Sequence, residues 1–433
     1  MHFRNPYKEP PDFAILAQGY PKLQQFLLSG RDGHTTIDFW NNDAQRALTE
    51  ALMFRDFAIK LALPAERLCP PVPNRLNYIL WLQDIVQHSP ATSDGIVRGL
   101  DIGTGASAIY PLLGCKLESK WTFIATDIDT TSYESASLNV AYNDLHERIK
   151  VQLTSADAPL FEPLVVEGST VFSFTMCNPP FYATAEEISR SADIKHLPPN
   201  AVCTGADVEM ITDGGEACFV RRMVEESLQH PLRCRWYTSM LGKMSSLVEI
   251  VDSLRSNGVD NYAITEFVQG QTRRWAIGWS FYHDRLPDSI ARIDNPNTTI
   301  HGLMPGRNTV IQPFKIKTHS NLEVLMRVIS EIKDITAGQE QAAEWDTSGV
   351  PLKLIVEATG DTWSRKARRA IKASRTKLDV EMENGEKRTA MSVFSVGWKK
   401  DGGSVVFQWM QGEDRALFTS FSSYVTRKLQ HII

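Results

Sequence analysis

The stretch IVRGLDIGTGASAIYPLLG, Ile96–Gly114, decides the fold. Its first seven residues are mostly apolar and too short a run for a helix, so they read as a buried strand. Gly103 and Gly105 then make a tight turn, and the apolar spacing of ASAIYPLL predicts a short helix closed by Gly114. The same rhythm recurs downstream. WTFIATDID (Trp121–Asp129) reads as a second strand, SYESASLNVAYNDL (Ser132–Leu145) as a second helix, and VFSFTMCNPPF (Val171–Phe181) as a later strand. Strands alternating with helices at this interval predict βαβ units and a mainly parallel, Rossmann-like sheet.

Around this centre the chain divides. Residues 1–90 read as an irregular arm followed by helices packed on the sheet domain, and 91–285 as the sheet domain itself. A polar stretch, 286–308, carries Pro287, Pro296 and Pro305 and is expected to be a linker. Residues 309–433 form a smaller α+β domain. Its expected parts are a strand at VIQPFKIKTH (Val310–His319), a helix at NLEVLMRVISEIKDI (Asn321–Ile335) and a strand at LKLIVEA (Leu352–Ala358). A basic helix follows, then two strands around KKDGG (Lys399–Gly403) and a last helix from Phe418.

Composition narrows the function classes. Of the 433 residues, 42% are hydrophobic and 22% charged, as expected for a globular protein with real cores. The formal net charge is −5, so any nucleic-acid surface must be local. The 6 cysteines show no C-x-x-C spacing, and the 10 histidines no H-E-x-x-H pair, which argues for a reducing compartment and no metal. No run approaches the length of a membrane span, so an intracellular protein without a membrane partner is expected.

Gly103, Gly105 and Ala108 fit G-x-G-x-x-A, which alone admits a dinucleotide site or a plain turn. Their company is more specific. Asp101 precedes the turn, Asp127 ends the next strand, and Asn178-Pro179-Pro180-Phe181 ends a later one. In an open parallel sheet these strand ends line one crevice. An acid at the second strand end suits a ribose diol, although it also suits a helix cap.

Asn-Pro-Pro is stiff, because each proline fixes φ and the residue before a proline is held extended. A carboxamide oxygen and a backbone carbonyl held this way can accept the two N–H bonds of an exocyclic amine. They would stabilise the positive charge that develops as that nitrogen attacks a methyl group. The aromatic that follows can stack on the base.

These motifs resemble a known family. LDIGTGASAIYPLLG, CNPPF, LRCRWYTSMLGK and RWAIGWSFY, with the opening RNPYKEPPDF, look like the methyltransferase-like 16 group. The resemblance implies an S-adenosyl-L-methionine-dependent RNA adenine-N6 methyltransferase, related to a bacterial ribosomal RNA adenine methyltransferase. Its implied substrate is U6 small nuclear RNA, and in some members hairpins in messenger RNA. A nuclear location is expected, with a cytoplasmic one left open, and a monomer is expected. Cofactor contacts are implied at Arg75, Asp101, Gly103, Gly105, Asp127 and Asn178, with Asp157 or Ala158 at the adenine ring. Asn178, Pro179, Pro180 and Phe181 would form the catalytic acceptor site.

RNA contacts are expected at Arg4, Lys8, Pro10, Pro11, Asp12 and Phe13 in the arm, at Lys243, and at Arg273 and Arg274. Gln271 stands where some family members have arginine. Residues 183–215 are expected either to fold over the acceptor or to be surface. In the second domain WSRKARRAIKASRTK (Trp363–Lys377) has no acidic residue, and Arg365, Arg368 and Arg369 mark its RNA face or a targeting signal. Two rival readings stand beside this one: a protein glutamine methyltransferase, and an RNA chaperone or scaffold without activity.

Overall fold

The computed structural model describes residues 1–30, 33, 35–187, 205–270, 272–313, 330–333, 340–345, 351–369, 392–398 and 404–430. The chain forms two compact units, one of Met1–Tyr282 with Ile290–Pro305, the other of His283–Ser289 with Gly306–Ile433.

The first unit begins with a small antiparallel pair, β1 (Leu27–Ser29) and β2 (Thr35–Ile37). Its centre is a seven-stranded sheet of β3 (Val97–Ile102), β4 (Trp121–Asp127), β5 (Ile149–Leu153), β6 (Phe172–Cys177), β7 (Cys234–Leu241), β8 (Tyr262–Gln269) and β9 (Thr272–Trp279). The order is β5-β4-β3-β6-β7-β9-β8, and strands β5 through β7 are parallel. Strand order reverses between β3 and β6, which in an open α/β sheet opens a crevice at the carboxyl ends of those strands. β6 is buried at every residue, the pattern of a strand covered on both faces.

The final two strands run antiparallel, since the hairpin through Gly270 (φ 55°) lets β9 enter beside β7 without a crossover helix. Helices Ile109–Leu117, Thr130–Tyr142, Gly215–Ser227 and Met244–Ser256 complete the βαβ alternation. The second of these starts where Asp129 accepts the N–H of Ser132 at 2.8 Å.

Helix Val72–Gln87 carries Tyr78, Trp81 and Leu82 into the core and also fastens the N-terminal arm. Asn5 donates to the Pro73 carbonyl at 2.9 Å and to Asn77 at 2.8 Å, and the backbone N–H of His2 reaches Asn77 at 2.9 Å. The stretch expected as a linker is built differently. Asp288–Ala291 and Thr298–Leu303 are helical, and Ile300, Leu303 and Met304 are buried in the core of the first unit. The prolines bound short helices there instead of extending a tether.

The second unit is a five-stranded antiparallel sheet in the order β10 (Thr309–Pro313), β14 (Ser404–Gly412), β13 (Ser392–Trp398), β12 (Pro351–Ala358), β11 (Glu340–Trp345). Helix Arg415–Leu429 packs Phe418, Phe421 and Val425 against Trp363, Phe394, Phe407 and Trp409. β11 is a strand that the sequence reading does not single out. Most of the expected helix 321–335, the turn 399–403 and residues 370–377 of the basic helix lie outside the described residues.

A candidate cofactor and acceptor site at the strand ends

Gly103 (φ 68°) and Gly105 (φ 66°) both sit in the left-handed region that glycine enters without strain. The turn is locked from two sides. Thr104 N donates to the Thr126 carbonyl at 2.9 Å, and Gly105 N donates to Asp127 Oδ2 at 2.8 Å. Asp127 Oδ1 accepts the N–H of Asp129 at 3.0 Å. A carboxylate has about four lone-pair sites, so the acid at the end of β4 keeps capacity for a ligand. Burial raises its pKa, and the backbone N–H groups pull it back.

Gly103, Gly105 and Asp127 line a pocket of about 370 Å³ together with Arg75, Ala158, Asn178 and Pro180. Arg75 is buried and donates to the Tyr110 hydroxyl at 3.0 Å, with its guanidinium 5.5 Å from that ring. Two expected cofactor residues stand elsewhere. Asp101 is fully buried and off the pocket wall, with neither oxygen in a well-formed hydrogen bond, although the Thr104 side chain is near enough to hold its pKa down in part. Burial pushes its carboxyl up to about 7, with the neighbouring Asp127 adding to the rise. Asp157 is exposed and off the wall, whereas Ala158 is on it.

At the end of β6 the side-chain oxygen of Asn178 is buried and has no hydrogen-bond partner. Pro179 is buried, and Phe181 is half-buried with the Arg274 guanidinium 5.2 Å from its ring. Tyr182 pairs with the returning chain, donating to the Met210 carbonyl and accepting from Thr212 N, each at 3.0 Å. A single parallel β-bridge, Tyr182 with Ile211, therefore ties the chain just after the turn to residues 210–212. Of the segment 183–215, residues 188–204 lie outside the described residues.

Two carboxylates escape the sequence reading. Glu209 lines the pocket, and its Oε2 accepts the N–H groups of Leu68 and Ala206, each at 2.9 Å. Glu216 is buried and accepts the N–H groups of Gly242 and Lys243, each at 2.7 Å. The contacts of Glu209 with Leu68, 141 positions away, and of Glu216 with Gly242, 26 away, have no local motif. The local hints are the return of Glu209 to Ala206 N at a helix start and the Gly-Gly-Glu start of helix Gly215–Ser227, where an acid suits the first turn.

The expected RNA residues are dispersed. Arg4 is an internal brace: it pairs with Asp84 and donates to Gln83 Oε1 at 2.9 Å and the Leu80 carbonyl at 3.0 Å. Asp12 caps helix Phe13–Gly19, accepting from Ala14 N at 2.9 Å, and Phe13 packs edge-on to Phe39. Lys8 and Pro10 are exposed, and Pro11 is partly so. Lys243 pairs with Glu187 and lies over Tyr182. Arg273 is exposed and bonded to Glu266 at 3.0 Å, and Arg274 donates to the Arg273 carbonyl at 2.9 Å. Gln271 lies outside the described residues.

In the second unit residues 365–369 are helical with Arg365, Arg368 and Arg369 exposed. Arg368 donates to the Tyr424 hydroxyl at 2.8 Å, and Arg427 lies 5.6 Å from that ring. Among the described residues no group of three or more His, Cys, Asp or Glu side chains is placed to hold a metal ion.

Residues 1–283 match a family described as RNA methyltransferase. This chain belongs to that family. The RNA N(6)-adenosine-methyltransferase METTL16 of Mus musculus is 41% identical over 345 residues, 79% of this chain and 60% of the mouse protein. The U6 small nuclear RNA (adenine-(43)-N(6))-methyltransferase of Schizosaccharomyces pombe is 35% identical over 414 residues, 95% of this chain and 98% of that protein. The chain thus spans about 60% of the length of the mouse relative it matches.

Among solved structures, the human METTL16 catalytic domain in complex with MAT2A 3′UTR hairpin 1 superposes with a TM-score of 0.62 at 41% identity, covering 68% of this chain and 99% of that one. The human N-terminal domain in complex with S-adenosylhomocysteine gives 0.55 at 41% identity, over 65% of this chain and 99% of that one. The RNA methyltransferase family therefore accounts for the first unit and its Rossmann-like fold.

Proposed function

We propose that this chain is an RNA adenine-N6 methyltransferase that uses S-adenosyl-L-methionine and acts on an unpaired adenosine in structured RNA. The fission-yeast relative, matched along 98% of its own length, makes U6 small nuclear RNA the first substrate to test and a nuclear location the first to examine. The observation that carries the reading is the Asn178 side-chain oxygen, a buried acceptor without a partner at the mouth of the glycine-turn pocket. An orphaned buried acceptor is costly unless a ligand satisfies it.

The residues present fit the cofactor. Asp127 has lone pairs for a ribose diol, and buried Arg75 suits a carboxylate. Gly103 and Gly105 let a ligand approach the backbone. When bound, the cofactor supplies a methyl group on a positively charged sulfur.

The protein's part is orientation. Asn178 accepts one N–H of the adenine amine, and a backbone carbonyl of the proline-stiffened turn accepts the other. The nitrogen lone pair is aimed at the methyl carbon while Phe181 stacks on the ring. The N–C bond forms as the C–S bond breaks, and the extra proton leaves the nitrogen for water. Fixed acceptors stabilise the charge that develops, which is where preorganised electrostatics acts. Every group this route uses comes from one chain, and the reading is of a monomer, which light scattering of the purified protein tests.

Arg365, Arg368, Arg369 and Arg427 form the strongest local basic cluster described in the second unit, and they serve as an RNA handle in this reading. The rival of protein glutamine methylation has no use for that cluster. Incubating the protein with labelled S-adenosylmethionine and total RNA, then identifying the labelled base, tests the proposal. Label in protein glutamine, or none in RNA, would overturn it.

A further inference from the structure

We infer that Glu216 and Gly242 form a seat that fixes the ring of Phe181 and, through it, the plane of the target adenine. The inference rests on the proposed stacking role of Phe181 and adds two positioning residues to that reaction.

The ring of Phe181 lies against the backbone where the chain leaves β7. A Cβ atom built on Gly242 would fall 2.8 Å from Phe181 Cδ1 and 3.2 Å from Cε1. Gly242 is absent from the positive-φ residues, so its missing side chain answers to contact and not to conformation. The same atom would fall 3.1 Å from Glu216 Oε2, so any larger residue must displace the ring, that carboxylate or its own backbone.

What holds that backbone is Glu216. Its two oxygens accept from Gly242 N and Lys243 N separately, each at 2.7 Å, and the side chain is 1% exposed. Charge-assisted bonds of this kind are roughly twice as strong as neutral ones. A carboxylate used on two successive backbone amides determines where the loop sits.

The same helix end touches the acceptor turn a second time. Gly215 (φ 69°) places its would-be Cβ 3.5 Å from Ala183 N and 3.7 Å from the Tyr182 carbonyl carbon. The start of helix Gly215–Ser227 thus lies on the backbone just after Phe181, and its first acidic side chain fixes the surface beneath the ring. Such a support matters because a misplacement of about 1 Å at a reacting centre can cost on the order of 10²-fold in rate.

The test uses the full chain and a hairpin RNA that the wild type methylates: kcat and KM are measured on the hairpin itself, and fluorescence on a copy whose target adenosine is replaced by 2-aminopurine. This base stacks and fluoresces but lacks the reacting amine. Phe181→Ala comes first. If it leaves both the stacked fluorescence and kcat unchanged, the stacking role itself fails. Given that it changes them, Gly242→Ala and Glu216→Gln are each expected to shift the fluorescence toward the Phe181→Ala value. Each should also lower kcat about tenfold or more, with KM for RNA and cofactor affinity within about twofold of wild type.

Wild-type fluorescence and kcat in both variants would overturn the inference. So would a loss of cofactor affinity in step with kcat, since that marks general structural damage. Should Gly242→Ala fail to fold, Glu216→Gln decides alone, because the amide side chain keeps the shape while one amide loses its acceptor.

Discussion

Asp127 Oδ2 and the backbone N–H of Gly105 are hydrogen-bonded at 2.8 Å, so the end of β4 grips the glycine turn that ends β3. One side chain thereby shapes the pocket and faces into it. Asp127→Ala should weaken S-adenosylmethionine binding by about 10–100-fold, the range expected for hydrogen bonds to a charged group. Calorimetry measures it, and NADH should not bind the wild type. Tight NADH binding would mean that the turn serves a dinucleotide.

Asn178→Ala removes the orphaned acceptor while leaving the proposed phosphate-contacting surfaces untouched. Turnover should fall by about 10²–10³-fold with RNA affinity nearly unchanged. Single-turnover kinetics beside an RNA-binding titration separates the two. Near-normal turnover of a folded variant would end the proposed mechanism.

Asp101 offers a pH test. Its folded pKa is raised to about 7 by burial, above the ordinary carboxylate value of 3.8. The folded state therefore holds the proton more tightly than the unfolded chain does. The stability this contributes is complete below about pH 4 and is lost as pH rises through 7. Asp101→Asn should flatten that decline and raise the melting temperature at pH 8 relative to wild type, an effect on the order of a few kcal/mol at most. A wild-type pH profile in the variant would show that the buried carboxyl is neutral in its effect.

Arg4 separates bracing from RNA contact. Its guanidinium is engaged by Asp84, Gln83 and the Leu80 carbonyl. Arg4→Ala should lower stability by about 1 kcal/mol, by removing donors from partly buried acceptors of which Asp84 keeps His2, and leave the RNA affinity of the folded protein unchanged. A selective loss of RNA binding at full stability would return this residue to the RNA surface.

Charge reversal of Arg368 and Arg369 should weaken binding of a long structured RNA and reduce the salt dependence of that binding, because fewer phosphates are neutralised. Cofactor affinity and activity on a minimal hairpin should hold. Equal binding of long RNA by variant and wild type at moderate salt would assign these arginines to targeting or to plain solvation.

The parallel strands are legible in the sequence because their signals are local. Val97–Ile102 is an apolar run ending in glycine, and Phe172–Cys177 is buried throughout. Asn178 is legible for the same reason, since two successive prolines at a buried strand exit stiffen the backbone at one point and remove two donors there. The rest depends on partners far along the chain. Arg4 reads as a surface charge until Asp84 is found beside it, and Ile300, Leu303 and Met304 read as linker because a short helix among prolines shows little periodicity. Asp101 resembles a ligand by its place beside the turn, yet strand alternation sends it off the pocket wall. Glu209 and Glu216 act on residues 141 and 26 positions away, and no local pattern encodes that.

Glu209 has a kinetic consequence. One carboxylate oxygen on the pocket wall accepts from both Leu68 N and Ala206 N, so a single ionisable group ties a segment 141 positions upstream to the backbone just before its own helix. Burial raises the pKa of Glu209, and the two backbone N–H groups pull it back. A protonated carboxyl is a poorer acceptor, and both segments would loosen together. Acidification should then speed hydrogen exchange at the Leu68 and Ala206 amides, which share that one acceptor.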